Sequence, residues 1–151
     1  MIKVETIGML DVAKVNPVIT SESDVTNNQF ITHEDNVYLV ANTLVGDDSY
    51  REDVVIKAGE YLNGYLVKAW DGQKLVIDGK HVTGEYATYS VKDTVLVVGE
   101  NGKLAVGEAP ASGVYFVVTD KCTLTEKAIK ARVCVAYTEG DEDTEAAAAT
   151  N

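Results

Sequence analysis

Short apolar runs separated by turn-forming residues dominate the chain from Asn36 onward, and they predict strands. Val37 to Ala41, Val54 to Lys57, Val95 to Val98 and Val114 to Val118 are compact apolar runs of the buried-strand kind. Tyr61 to Trp70 predicts a longer strand, interrupted at Asn63-Gly64. Ile129 to Tyr137 alternates, with Ile129, Ala131, Val133, Val135 and Tyr137 on one face, which predicts a half-buried strand. Asp71-Gly72 and Asn101-Gly102 carry the signature of two-residue hairpin turns, because such turns need positive φ at both central residues. The first pairs Val67 with Val76 and Leu66 with Ile77. The second pairs Glu100 with Lys103, Val98 with Ala105 and Val97 with Val106. Asp78-Gly79 predicts a further turn and a meander whose next strand begins near Lys80. Thr123 to Glu126 matches a helix capping box, with room for one or two helical turns at most.

Residues 1–35 have another texture. MLDVAKVNPVI (9–19) is apolar without a clean period and is broken by Pro17; SESDVTNNQ (21–29) is polar. This predicts an extended N-terminal arm with short strand pieces, an ordinary first strand plus a loop being the alternative. The arm holds Ile7, Met9, Leu10, Val12, Val15, Val18 and Ile19, enough apolar surface to pack against a partner. The expected organisation is an arm over 1–35, a β domain over 36–138 and a flexible acidic tail over 139–151. The fold class is all-β, a small antiparallel barrel or sandwich.

Composition narrows the function classes. At 151 residues and 46% hydrophobic, the chain suits one globular domain. The formal net charge is −11, which disfavours nucleic acid unless a basic face is segregated, and disfavours anionic membranes. The tail supplies −5 of that charge through Glu139, Asp141, Glu142, Asp143 and Glu145, and has no base. No apolar run approaches a membrane span and no signal peptide is evident, so synthesis in the cytoplasm and a soluble product are expected.

Catalytic chemistry needs convergent titratable groups, and the sequence proposes none. His33 and His81 are far apart and sit beside turns, where a solvated imidazole is the expectation. Cys122 and Cys134 read as small, half-buried thiols. The acidic loop with Asp47, Asp48, Glu52 and Asp53 lacks the spacing of a calcium loop. No zinc, phosphate-loop or dinucleotide motif is present. No cofactor and no enzymatic activity are therefore expected. Lys121, Lys127, Lys130 and Arg132 gather four bases within twelve residues, read as a solvated strand face or a patch facing an acidic neighbour.

ITSESDVTNNQFI (19–31) followed by NVYLVANTLVGDDSYREDVVIKAGEYLNGYLVKAWDGQKLVID (36–78) resembles bacteriophage head decoration proteins. The likeness covers about half the chain and has the texture of a polar arm leading into short strands with D-G and N-G turns. It implies a structural virion protein that binds the major capsid protein on the outer shell surface, as a homo-oligomer with a trimer as one option, without catalysis. The alternatives are a phage tail-tube or head-completion protein, and a small carbohydrate-binding β-sandwich using Trp70 with Tyr61, Tyr65, Tyr86 and Tyr89.

Overall fold

The computed structural model describes residues 2–4, 18–40, 55–123 and 126–138. Eleven strands lie among them: β1 (Ile2–Val4), β2 (Val18–Thr20), β3 (Phe30–His33), β4 (Asn36–Val40), β5 (Tyr61–Leu66), β6 (Lys74–Asp78), β7 (Val82–Thr83), β8 (Val95–Val98), β9 (Leu104–Val106), β10 (Gly113–Thr123) and β11 (Lys127–Ala136). They form a seven-stranded sheet, ordered β1-β6-β11-β10-β8-β9-β7, and a four-stranded sheet, ordered β2-β5-β4-β3. Every pairing is antiparallel except β7 with β9, so the large sheet is mixed. The protein is all-β, as the periodicity predicts, and its helical residues are short 3-10 turns.

The alternation of apolar residues explains the layering. Ile77, Ile129, Leu75, Ala131, Val118, Val133, Phe116 and Leu96 occupy alternate rungs of the large sheet and point to one side. Phe30 and Leu39 of the small sheet join them in the main core, with the Phe30 and Phe116 rings edge to face at 5.4 Å. The intervening residues of the small sheet, Ile31, Tyr38 and Val40, face the other way and build a second core with Ile19, Val25, Ile56 and Leu62. The β3–β4 half of the small sheet is thus buried on both faces, Phe30 and Leu39 on one and Ile31, Tyr38 and Val40 on the other.

Three strands fall within residues 1–35, and each pairs inside the chain. β1 lies on β6, β2 on β5 and β3 on β4. The boundary drawn at residue 35 falls inside the two-residue turn that joins β3 to β4, where Glu34 and Asp35 both take positive φ. Residues 139–151, and the acidic loop at Asp47 to Asp53, lie outside the described residues.

The turn signals mark real turns with different geometry. At Asp71-Gly72, Asp71 takes φ −49° and ψ 127° and Gly72 φ +82°, a type II turn closed by Gln73 N–H to Trp70 C=O at 2.8 Å. No hairpin forms there. Val67 to Trp70 coil into a 3-10 turn that carries the chain from the small sheet to the large one, burying Val67 and Trp70. Asn63-Gly64 does not interrupt β5; a Cβ at Gly64 would sit 3.0 Å from Tyr38 Cβ, so glycine lets the strands close together. After Asp78 the chain turns, but β7 starts at Val82 and joins the opposite edge of the sheet, so there is no meander.

At Asn101-Gly102 both residues have positive φ, 57° and 68°, as a type I′ turn requires. The register is one residue off the expected one: Val98 pairs with Leu104 and Val97 with Ala105. Gly99 is the extra residue, its N–H reaching Lys103 C=O at 2.8 Å while Lys103 N–H reaches Glu100 C=O. That bulge turns Leu96 and Leu104 into the core together. The capping box forms no helix start: Thr123 is the last residue of β10 and pairs with Lys127 of β11.

Candidate functional site

The outward face of β2 and β5 carries exposed apolar side chains. Thr20 stands opposite Tyr61, and Val18 opposite Asn63, all on the side of the pair away from Ile19 and Leu62. Val18 is 63% exposed and Tyr61 78%, while Ile19 is 8% exposed and packs in the second core. Val55, beside the Val25–Ile56 bridge, is exposed as well.

Of the residues expected to contact a partner, Ile7, Met9, Leu10, Val12 and Val15 lie outside the described residues. Val18 is presented to solvent. Ile19 is a core residue and is withdrawn from the contact set, because strand alternation turns it inward when Val18 turns out. Tyr61, which the sequence offers only as a sugar-platform aromatic, is an exposed residue of this face. Its signal was a large aromatic at an outward strand position, one residue before the buried Leu62.

Asp24 accepts from Lys57 Nζ at 2.8 Å and from the Ala58 N–H at 2.9 Å. The Lys57 contact, followed by the Ala58 N–H, holds the Asp24 carboxyl below its ordinary value and correspondingly raises Lys57. This ties the loop after β2 to the segment before β5.

The other candidates disperse. His81 is buried at 7% exposure, its Nε2 3.7 Å from Asp78 Oδ1, contrary to the solvated imidazole expected. In the 3-10 turn at Gly79–His81 the imidazole is the buried side chain. His33 ends β3, with Nε2 4.0 Å from Glu34. Cys122 and Cys134 are half-buried free thiols. Among the described residues no three His, Cys, Asp or Glu side chains converge as a metal site. None of the described helices is long and apolar enough to cross a membrane.

The aromatics proposed for a sugar platform do not share an exposed face. Trp70 is buried against Tyr65, ring centroids 5.4 Å apart, and Tyr89 is buried with its hydroxyl donating to Thr83 C=O at 3.0 Å. Burial raises the Tyr89 hydroxyl above its ordinary value. Tyr86 and Tyr89 line a groove of about 380 Å³ with Val82, Ile77 and Ile129.

The basic cluster divides in two. Lys121 and Lys127 flank the Tyr86 ring, Nζ 5.1 and 5.6 Å from its centroid. Lys130 and Arg132 stand on alternate rungs with the opposite orientation, beside Val76 and Lys74 of β6. No family model, characterised protein or solved structure matches this chain.

Proposed function

We propose that this chain is a non-catalytic structural subunit of a bacteriophage head that docks on the outside of a preformed shell. The contact is made by the N-terminal region and the adjoining β2–β5 face. What supports the reading is the pair of outward residues Val18 and Tyr61, 63% and 78% exposed on neighbouring strands. In sequence, Val18 directly follows the segment carrying Ile7, Met9, Leu10, Val12 and Val15. An aromatic and an aliphatic on one exposed strand pair suit burial against a protein surface better than solvent. Self-association would multiply a weak contact across a symmetric lattice.

The test is a Val18→Asp/Tyr61→Asp double variant mixed with undecorated shells, with occupancy read by electron microscopy. The expected result is a folded protein whose occupancy falls at least about tenfold, corresponding to a loss near 1.4 kcal/mol per contact set. Full occupancy by the variant removes this face as the anchor. Failure of the unaltered protein to bind shells removes the head reading altogether and advances a tail-tube or head-completion role.

A further inference from the structure

Two lysines of the β10–β11 pair converge on one aromatic ring in the 3-10 turn at Tyr86–Thr88. Lys121 ends 5.1 Å and Lys127 5.6 Å from the Tyr86 centroid, measured at Nζ, within cation–π range. Backbone carbonyls hold the arrangement in place. The Tyr86 hydroxyl donates to Cys122 C=O and Lys121 Nζ donates to Ala87 C=O, each at 3.5 Å. Both lysines are exposed, and neither forms an ion pair with a described residue. Glu126 is next to Lys127 and Glu85 next to Tyr86, yet neither carboxylate pairs with these ammonium groups. Two like charges gathered at one ring repel each other, and the ring face offsets only part of that repulsion. An anion seated beside both relieves it. In a chain with 24 acidic and 13 basic side chains, two lysines left without a carboxylate at one spot stand out from the composition.

The same ring lines the groove of about 380 Å³, a volume that suits a small molecule. The exposed Lys127 and Glu126 mark its rim, and the buried Ile77, Val82, Ile129 and Tyr89 its floor. The Tyr89 hydroxyl is already spent on Thr83 C=O, so these floor side chains offer apolar contact. Each of them is less than a tenth exposed, so the groove is narrow and admits a slender body, an alkyl chain rather than a broad ring system. An apolar floor and an ammonium at the mouth fit a ligand with an apolar body and an anionic head. Lys127 has three N–H donors for such a head, and a charge-assisted bond to a carboxylate is stronger than a neutral one.

We propose that this groove binds a straight-chain carboxylate, its alkyl chain against Ile77, Val82 and Ile129 and its head group at Lys127 and Lys121. Glu126 opposes the head group from the same rim, so it weakens the site without closing it. The groove belongs to the large sheet, whereas the proposed shell-docking face belongs to the small one, so ligand binding does not depend on shell binding.

The experiment is an amide NMR titration of the ¹⁵N-labelled full chain with octanoate, using octanol and acetate as controls. The expected result is saturable shifts at Gly79–Tyr89 and Glu126–Ile129, with a Kd of about 1 mM. Octanol and acetate should each bind at least about tenfold more weakly, since each lacks one half of the recognition. Lys121→Met/Lys127→Met keeps the lysine stems, should leave amides remote from the groove unmoved, and should weaken octanoate about tenfold. Glu126→Gln removes the opposing charge and should tighten it about twofold. Equal binding of octanol makes the groove a plain apolar crevice and overturns the anion seat. Equal binding of acetate reduces the lysines to a counter-ion site and overturns the alkyl groove. Unchanged affinity in the lysine variant, shifts centred elsewhere, or no saturable shift at all overturns the site.

Discussion

The side-chain amide of Gln29 donates to the backbone carbonyl of Asn101 at 2.9 Å, across 72 residues of chain. Its oxygen accepts from the Thr26 N–H at 2.8 Å. One side chain therefore ties the approach to β3 to the tip of the β8–β9 hairpin. The hairpin tip is fitted closely against it: a Cβ on Gly102 would lie 2.8 Å from Gln29 Cβ and 2.8 Å from Phe30 O. Gln29→Ala removes both hydrogen bonds and is expected to cost about 1 kcal/mol, since the bonds are partly solvated. Gly102→Val combines positive φ with this clash and is expected to cost at least about 2 kcal/mol. Urea unfolding of the two variants measures both, and equal, negligible losses would mean that the tip does not dock on β3.

The β3–β4 turn holds Glu34 and Asp35 at φ 48° and 62°, a region that Asp tolerates and that is unfavourable for Glu. Asn-Gly is the preferred pair for such a turn. Glu34→Asn with Asp35→Gly is expected to raise stability by about 1 kcal/mol, the relief of left-handed strain exceeding the added chain entropy of glycine. Thermal unfolding should show a melting temperature higher by several degrees.

This turn also shows where sequence reading reached its limit. The strands at Val95 to Val98 and Val114 to Val118 were legible because their apolar runs are buried in the sheet. The alternation of Ile129, Ala131 and Val133 was legible for the same reason. Glu34-Asp35 lacks the Asn-Gly or Asp-Gly signature of a two-residue hairpin, so the local pattern does not separate this turn from the end of an arm. Asp71-Gly72 carries a strong one, but a D-G pair also satisfies a type II turn, and the buried Trp70 and Val67 decide between them through long-range packing. The Asn101-Gly102 register turned on one glycine, Gly99, whose bulge depends on Leu96 and Leu104 both reaching the core. The exposed pair at Val18 and Tyr61 needed the pairing of two strands separated by some forty residues, which no local pattern encodes.

Acid stability should register the Asp24–Lys57 contact. The folded-state value of Asp24 is lowered from 3.8, first by Lys57 and then by the Ala58 N–H. A depressed carboxylate adds stability that is present above the unfolded value and is lost as pH falls through the folded one. Asp24→Asn is therefore expected to narrow the stability gap between pH 5 and pH values below about 3.8, and to do so less at high salt. Chemical unfolding at pH 2.5, 4 and 6 checks the sign; an unchanged pH profile would show that this exposed pair contributes nothing measurable.

The two thiols should never pair within one folded chain. Cys122 is opposite Ala128 and Cys134 opposite Tyr115, so the two lie some six rungs, or about 20 Å, apart along the hairpin. A disulfide requires Cα atoms within about 7 Å. Oxidation of the folded, dilute protein is expected to leave two titratable thiols and an unchanged melting temperature. One intrachain disulfide with the native fold retained would contradict the β10–β11 register.

The last prediction separates folding from docking at the N-terminus. Ile2 is 8% exposed and packs in the main core, with β1 in register with Ile77 of β6. Ile2→Ala removes most of a buried side chain at a sheet edge and is expected to cost about 2 kcal/mol, the low end of such truncations. Val18→Asp alters an exposed position on β2 and is expected to cost no more than about 1 kcal/mol. The same contrast governs any truncation experiment: removing residues 2–20 deletes β1, β2 and the core residue Ile19, so lost shell binding would report unfolding as readily as a lost anchor. Paired measurements of melting temperature and shell occupancy on the two point variants distinguish them. Ile2→Ala should melt earlier yet bind at full occupancy below its transition. Val18→Asp should melt nearly as the unaltered protein does and bind less. The reverse pattern would place the anchor on β1 and the structural role on β2.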